Sequence, residues 1–291
     1  MSQNTKNCPI CNSWKSSLSY MIRGYMYYSC NSCGMLYLND KGSVPNSFFK
    51  KYNEDYFKGA LKESMSGYMD YARQSRPLRR NFRVLLSHIK RHLTFDRTIS
   101  LLDIGCAYGF FLDEARKLGM AVQGLDLSES AIQWMENNLG IKGAVGFSSD
   151  APEGPFDIIT AIEVIEHVPN PRSFLDDLYE RIKNGGILVI HTGANDTLTA
   201  RLLGRRWWYL NPPDHCSIFS RFSLRKIVTD SGFDIIEQCL MPYYWVGLNN
   251  MLLKVARILH SKRLGYLASK LPTFVSPAIH YTTQLLIAMK R

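Results

Sequence analysis

Three groups of residues have types and spacings that suit chemistry. In the first, Asp103-Ile104-Gly105 closes an apolar run, Gly109 follows, and Asp126 closes a second apolar run 21 residues after Gly105. Glycines at such a bend let the backbone approach a ligand closely. A carboxylate ending the next strand can accept hydrogen bonds from both hydroxyls of a ribose. This suits an adenosine-containing cofactor. A dinucleotide would call for G-x-G-x-x-G with its pyrophosphate at a helix N-terminus. Here the loop reads Gly105-Cys106-Ala107-Tyr108-Gly109-Phe110. Its glycine spacing is wrong, Tyr108 and Phe110 crowd the phosphate position, and Asp103 would repel a pyrophosphate. A ligand carrying an ammonium and a sulfonium fits better, so the residues favour S-adenosylmethionine over NAD.

The second group is four of the seven cysteines. Cys8-Pro-Ile-Cys11 and Cys30-Asn-Ser-Cys33 are two C-x-x-C pairs with 18 residues between them, the spacing of a zinc ribbon. Each pair lets one tight turn aim two thiolates at a metal, and two pairs complete a closed tetrahedral, structural site. The alternatives are two disulfides, which a reducing compartment disfavours, or a redox pair, which usually opens a helix. The third group is histidine. His215 follows Trp207-Trp208-Tyr209 and Pro212-Pro213, and the three aromatic residues are expected to wall an acceptor pocket. Imidazole titrates near neutrality, so His215 is a candidate base for an acceptor hydroxyl, the competing reading being a structural histidine. His167, four residues after Glu163, is the other candidate, and would otherwise pack at a helix start. Glu163 would lie beside the cofactor. For Glu163 and Glu166 the competing reading is a solvated helix start, where the dipole favours carboxylates. His88, His92, His191, His260 and His280 lack such context.

Residues that converge in this way need a scaffold. From Ile99, apolar runs of strand length alternate with helical stretches. Strands are expected at Ile99–Ile104, Ala121–Leu125, Phe156–Ile162 and Ile187–His191, and helices at Phe110–Leu118, Glu129–Leu139 and Pro171–Ile182. Alternation of this kind implies an α/β fold with a doubly wound parallel sheet, whose ligands sit beyond the carboxyl ends of the strands. The chain divides into a zinc ribbon (1–40), a helical linker or lid (41–98), a cofactor-binding domain (99–240) and a basic amphipathic, helical C-terminal extension (241–291).

Charge follows the same division. Residues 1–99 hold 16 Lys and Arg against 6 Asp and Glu, residues 100–247 hold 12 against 19, and residues 248–291 hold 7 against none. Basic flanks suit an anionic partner or simply a solvated surface. The N-terminus lacks the apolar core of a signal peptide and no apolar run reaches 18 residues, so the expected location is cytoplasmic. The stretch 248–260 puts Leu248, Met251, Leu252, Val255 and Leu259 on one helical face. That face either packs on the domain or makes a peripheral contact with the inner face of a membrane. Lys290-Arg291 close the chain with no acidic neighbour in sequence.

The segments LLDIGCAYGFFL, GLDLS, FDIITAIEVIEHVPNP and GGILVIHTG resemble, in order and spacing over about 99–235, the successive motifs of class I S-adenosylmethionine-dependent methyltransferases. The resemblance implies a Rossmann-like seven-stranded sheet. Asp103, Gly105 and Gly109 would shape the methionine end of the pocket, Asp126 would bind the ribose, Leu127 would flank the adenine, and Asp150 would meet its amino group. Ala107 stands where a glycine is common. The W…P-x-H…F-S-x-x-S-L pattern and the zinc ribbon are similar to methyltransferases of small molecules, sugars and glycans. They imply such an acceptor, lipid-linked if the tail meets a membrane. Two alternatives stay open. One is an RNA methyltransferase that grips phosphates through the ribbon and the basic stretch from Arg73 to Arg83. The other is a catalytically inactive binding protein.

Overall fold

The computed structural model describes residues 7–38, 57, 71–94, 97–247, 252, 255–256, 261–270 and 275–291. Its centre is a seven-stranded sheet. The strands are β4 (Ser100–Ile104), β5 (Ala121–Asp126), β6 (Gly143–Val145), β7 (Phe156–Ile162), β8 (Ile182–Gly193), β10 (Phe233–Gly247) and β11 (Val275–Lys290), in the order β10-β11-β8-β7-β4-β5-β6. β4 pairs in parallel with β5 on one side and β7 on the other. The chain therefore winds outward from β4 in one direction and then in the other, which opens a crevice at the ends of β4 and β7. β4, β7 and most of β8 are buried on both faces, as near-continuous apolar runs in a covered parallel sheet should be.

The helices that flank the sheet begin where their sequences offer caps. α3 (Glu129–Leu139) starts at Ser128, whose hydroxyl accepts from the Ala131 N–H. α4 (Pro171–Arg181) starts at Asn170 in the same manner. α6 (Arg221–Asp230) starts at Ser220 in a capping box with Ser223. α2 (Phe110–Arg116) opens instead at Gly109, at φ +71°. There an added Cβ would lie 2.4 Å from Met135 Sδ, so the glycine lets α2 sit against α3. α5 (Leu198–Leu203) follows β8.

The expected ribbon is present as an antiparallel hairpin of β1 (Ser16–Ile22) and β2 (Tyr25–Cys30), followed by β3 (Leu36–Leu38). It is not a free-standing module. β3 pairs with β9 (Ser217–Ile218) to make a four-stranded sheet, and Cys8, Cys30, Cys33 and Met35 share one apolar cluster with Leu102, Ile159 and Phe219. In the linker, α1 (Ser75–Lys90) is described and most of 41–70 lies outside the described residues. α1 buries Leu78, Leu85, Leu86 and Ile89 and docks on α2. Arg79 bonds Asp113 and Glu114 at 2.5 and 2.7 Å, and Arg83 bonds Glu114 at 3.0 Å. Burial opposes the charge on Asp113, but Lys117, Arg79 and Arg116 outweigh it and hold the carboxyl down at about 2. Two arginines of the stretch offered to phosphates are thus engaged within the fold.

The helical C-terminal extension needs correction. Residues 275–290 are a strand, inserted antiparallel between β8 and β10, and they complete the sheet. Leu285, Leu286, Ile287 and Ala288 are fully buried there. A short continuous apolar run does not separate buried strand from helix, and Gln, Leu, Ala, Met and Lys favour helix on propensity alone. The domain boundary at 240 is likewise corrected, because β10 runs through it to Gly247. A short helix, α7 (Lys262–Lys270), lies between the two strands, and 248–260 falls outside the described residues except for Leu252, Val255 and Ala256. Arg291 does have an acidic neighbour, since it bonds Asp234. Among the described residues, no helix is long and apolar enough to cross a membrane.

Candidate active site

The crevice opens into a cavity of about 420 Å³, within the range typical of small-molecule sites. Asp103, Gly105, Asp126, Leu127, Glu163, His167 and His215 all line it; Gly109 and Asp150 do not. At the end of β4, Gly105 turns at φ +73°, where an added Cβ would stand 2.4 Å from a Val164 methyl. Only glycine lets the two strand ends pass at that distance. Ala107 takes the left-handed conformation, φ +50°, where a glycine would be unstrained. That turn aims its N–H at Asp126 Oδ2 at 2.8 Å, while the Ser128 N–H meets Oδ1 at 2.9 Å. The Asp126 carboxylate is thereby fixed by its own backbone, and each oxygen has lone-pair capacity for a ligand hydroxyl.

Asp103 is buried, accepts a 2.6 Å bond from the Thr160 hydroxyl, and is pushed up to about 7 by burial and then by the charge of Asp126. A cation placed beside it would restore its charge. Phe147 and Ser148 supply the wall expected of Asp150. The Asp150 carboxylate turns back to accept from the Phe147 N–H at 2.8 Å and is exposed.

No α-helix starts at Glu163. It sits at φ +57°, with a 3-10 turn at Ile165–His167 behind it, and Glu163 Oε1 lies 3.0 Å from His191 Nδ1. The solvated reading of Glu166 fails, because its exposure is 0%. Its carboxylate meets the Tyr209 hydroxyl and accepts from Thr192 Oγ1 at 2.8 Å. Burial, followed by the charge of Glu163, pushes Glu166 up to about 8. The fold therefore holds a proton that the unfolded carboxyl, with its usual value of 4.5, releases. Stability should fall as pH rises between those values. Glu166→Gln should flatten that fall in an unfolding midpoint measured from pH 5 to 8; parallel curves for the two proteins would refute it.

Two of the three aromatic residues expected at the acceptor wall are instead structural. Trp207 is buried and stacks on Tyr209 at 5.3 Å, and Tyr209 directs its hydroxyl into the Glu163–Glu166–Thr192 network; Trp208 does line the cavity. His215 and His167 stand ring against ring at 4.7 Å. His215 Nδ1 lies 2.7 Å from the Tyr209 carbonyl, and His167 Nδ1 lies 2.9 Å from the Asp214 carbonyl. A carbonyl only accepts, so each neutral ring carries its proton on Nδ1 and its lone pair on Nε2. The ribbon braces this loop: Tyr27 donates 2.6 Å to the His215 carbonyl, Arg23 donates to Asn211, and Ser220 donates 3.0 Å to the Cys33 carbonyl. No sequence signal announced these contacts, since their partners lie 187 or 188 positions apart.

The four ribbon cysteines converge, with Cys8 and Cys33 Sγ at 3.6 Å and Cys11 and Cys30 Sγ at 3.4 Å. Tetrahedral thiolates about 2.3 Å from zinc are roughly 3.8 Å apart, so the donor set fits such an ion. Glu166, His167 and His215 also bring ligand atoms within 4.8 Å of one another, although both Glu166 oxygens already meet hydroxyls.

Residues 75–238 match the family described as "Methyltransferase domain". The ubiquinone biosynthesis O-methyltransferase of Rickettsia bellii is 31% identical over 174 residues, 55% of this chain and 71% of that protein. The mitochondrial ubiquinone biosynthesis O-methyltransferase of Schizosaccharomyces pombe is 37% identical over 112 residues, 35% of this chain and 40% of that protein. Against several such relatives the chain spans less than half of their length. The magnesium protoporphyrin IX methyltransferase of Synechocystis PCC 6803, solved with bound SAH, shares the fold at a TM-score of 0.55 and 15% identity, over 87% of this chain and all of that one. The chain belongs to the methyltransferase-domain family, in the class I S-adenosylmethionine-dependent group.

Proposed function

We propose that this chain is an enzyme that methylates a hydroxyl of a small-molecule acceptor. S-adenosylmethionine, when bound, supplies a methyl already activated on a sulfonium. Asp126 and Leu127 would hold its ribose and adenine and Asp103 its cationic end, with Glu163 beside it. The chain's own work is to exclude water, align the acceptor and take its proton. The observation that carries the reading is the His167–His215 pair on the cavity wall, with both rings held in the tautomer that puts a basic lone pair on Nε2. The name of the relatives, O-methyltransferases of ubiquinone biosynthesis, supports a small hydroxylated acceptor. It gives no support to the sugar or glycan acceptor that the W…P-x-H pattern implied. RNA is disfavoured because Arg79 and Arg83 already pair with Asp113 and Glu114. The ribbon cysteines are proposed to hold a structural zinc ion, and contact with a membrane has no support beyond the basic composition of the tail.

The test is a methyl-transfer assay with a panel of phenols, catechols and nucleotide-sugars. Turnover of a hydroxylated aromatic is expected. His215→Asn should lower turnover about 10²-fold, as general-base removal does, with cofactor affinity within about twofold of the parent. Turnover of nucleotide-sugars alone would reinstate the glycan reading, and unchanged turnover in the variant would remove His215 from the chemistry.

A further inference from the structure

A second constellation lies apart from the ribbon and the His167–His215 pair. His88, in the last turn of α1, and His92, in the turn after it, are four residues apart and so project from the same side. Facing them, Glu237 and Cys239 stand two residues apart on β10, hence on one face of the strand. Glu237 Oε1 is 2.5 Å from His88 Nδ1 and Oε2 is 2.8 Å from His92 Nε2, with Cys239 Sγ 3.7 Å from Oε1. The ligand atoms of His88, Glu237 and Cys239 all fall within 4.8 Å of one another, and His92, bonded to Glu237 Oε2, stands outside that group. The two imidazoles and the carboxylate are each about one-fifth exposed. A hydrated ion can therefore enter, yet the donors are held by packing.

We propose that His88, His92, Glu237 and Cys239 form a metal site for a borderline divalent cation of the zinc class, pinning α1 to β10. Two imidazole nitrogens, one carboxylate oxygen and one thiolate make a mixed N, O, S set that suits tetrahedral zinc better than the hard, oxygen-seeking cations. The charges also close. On binding, the Cys239 thiol gives its proton to solvent, and thiolate plus carboxylate neutralise the two positive charges, with both imidazoles neutral. The Arg91 guanidinium lies 3.4 Å from His88 Nδ1 and is exposed, so it has to swing out into solvent for an ion to enter. With His92 drawn in from Glu237 Oε2 as the fourth donor, no position is left for substrate, so the role is mechanical. α1 contributes Leu78, Asn81, Phe82 and Leu85 to the cofactor cavity, and β10 contributes Met241. A second staple between the same elements lies at their other end, where the Asn81 amide exchanges both hydrogen bonds with the Trp245 backbone. The metal would fasten the end of this wall that the Asn81 staple does not reach.

The full chain should be incubated with Zn²⁺, freed of loose metal by gel filtration and subjected to elemental analysis beside H88A/H92A, E237Q and C239S. Each variant is expected to retain one ion fewer per chain than the parent, whatever the ribbon holds. Zn²⁺ should raise the parent's Tm by several degrees more than that of any variant. With Co²⁺ in place of zinc, C239S should lose part of the sulfur-to-metal absorption. C239S changes one atom, so it carries the test if the double variant fails to fold. Equal metal counts in the parent and C239S, or equal Tm shifts, would overturn the proposal.

Discussion

Asp126→Ala should weaken S-adenosylmethionine binding by about two to three orders of magnitude, the largest loss expected from any single cavity residue. The reasoning starts from the carboxylate's buried position. It is fixed by the N–H groups of Ala107 and Ser128, and burial raises its pKa above the usual carboxylate value against the pull of those two bonds. A ribose diol binding there meets an acceptor that costs nothing to orient. Each hydrogen bond to a charged group contributes about 1.5–3 kcal/mol, and two of them reach about 3 kcal/mol or more. Alanine also strands the two backbone donors and so loosens the loop at Ala107. Asp126→Asn separates the two effects, because it keeps one oxygen acceptor and the side-chain volume. Calorimetric titration should therefore rank the parent well above Asn, and Asn above Ala. NADH should give no response in any of the three. An Asp126→Ala protein that binds the cofactor as tightly as the parent would dissolve the assignment of the whole pocket.

What the sequence disclosed and what it concealed divide along a physical line. Local signals were sufficient for β4, β5, β7 and β8, because apolar runs set off by glycine turns act over a few residues, whereas the three-residue β6 was not expected. The same holds for Asp103, Gly105 and Asp126, which chain continuity brings to adjacent parallel strands. Gly109 was flagged as a ligand residue but serves the fit of α2 on Met135, and a glycine's type does not say which neighbour demands it. Asp150 was placed at the adenine by spacing, yet its carboxylate closes its own turn onto the Phe147 N–H. The strand Val275–Lys290 was hidden because its burial comes from β8 and β10, not from its own propensities. His88 and His92 read as featureless until β10 brought Glu237 and Cys239 against them.

Removing the zinc ion proposed for the ribbon should abolish turnover while leaving cofactor affinity within a few-fold of the parent. The two sites draw on different parts of the fold. Asp103, Gly105 and Asp126 hang from β4 and β5, whose pairing partners are strands of the central sheet. His215 hangs from a loop whose outer support is the ribbon, through the Tyr27 bond to its carbonyl and the pairing of Leu36 with Ile218. Structural zinc contributes about 10–16 kcal/mol to small metal-dependent folds, as much as the whole stability of many domains. Without it, the four thiols no longer converge on an ion, and the apolar cluster that Cys8, Cys30 and Cys33 share with Met35 and Phe219 is left alone to hold the knuckles closed. The hairpin then loosens, β3 leaves β9, and His215 loses its fixed relation to His167. Cys30→Ser should show this as lost methyl transfer with retained binding of S-adenosylhomocysteine. Tyr27→Phe is the graded counterpart. It deletes one hydrogen bond behind His215, touches neither metal nor cofactor, and should lower turnover several-fold with the metal content unchanged. Full turnover in a metal-free protein would mean that the ribbon braces nothing the chemistry uses, and the Tyr27 contact would be packing alone.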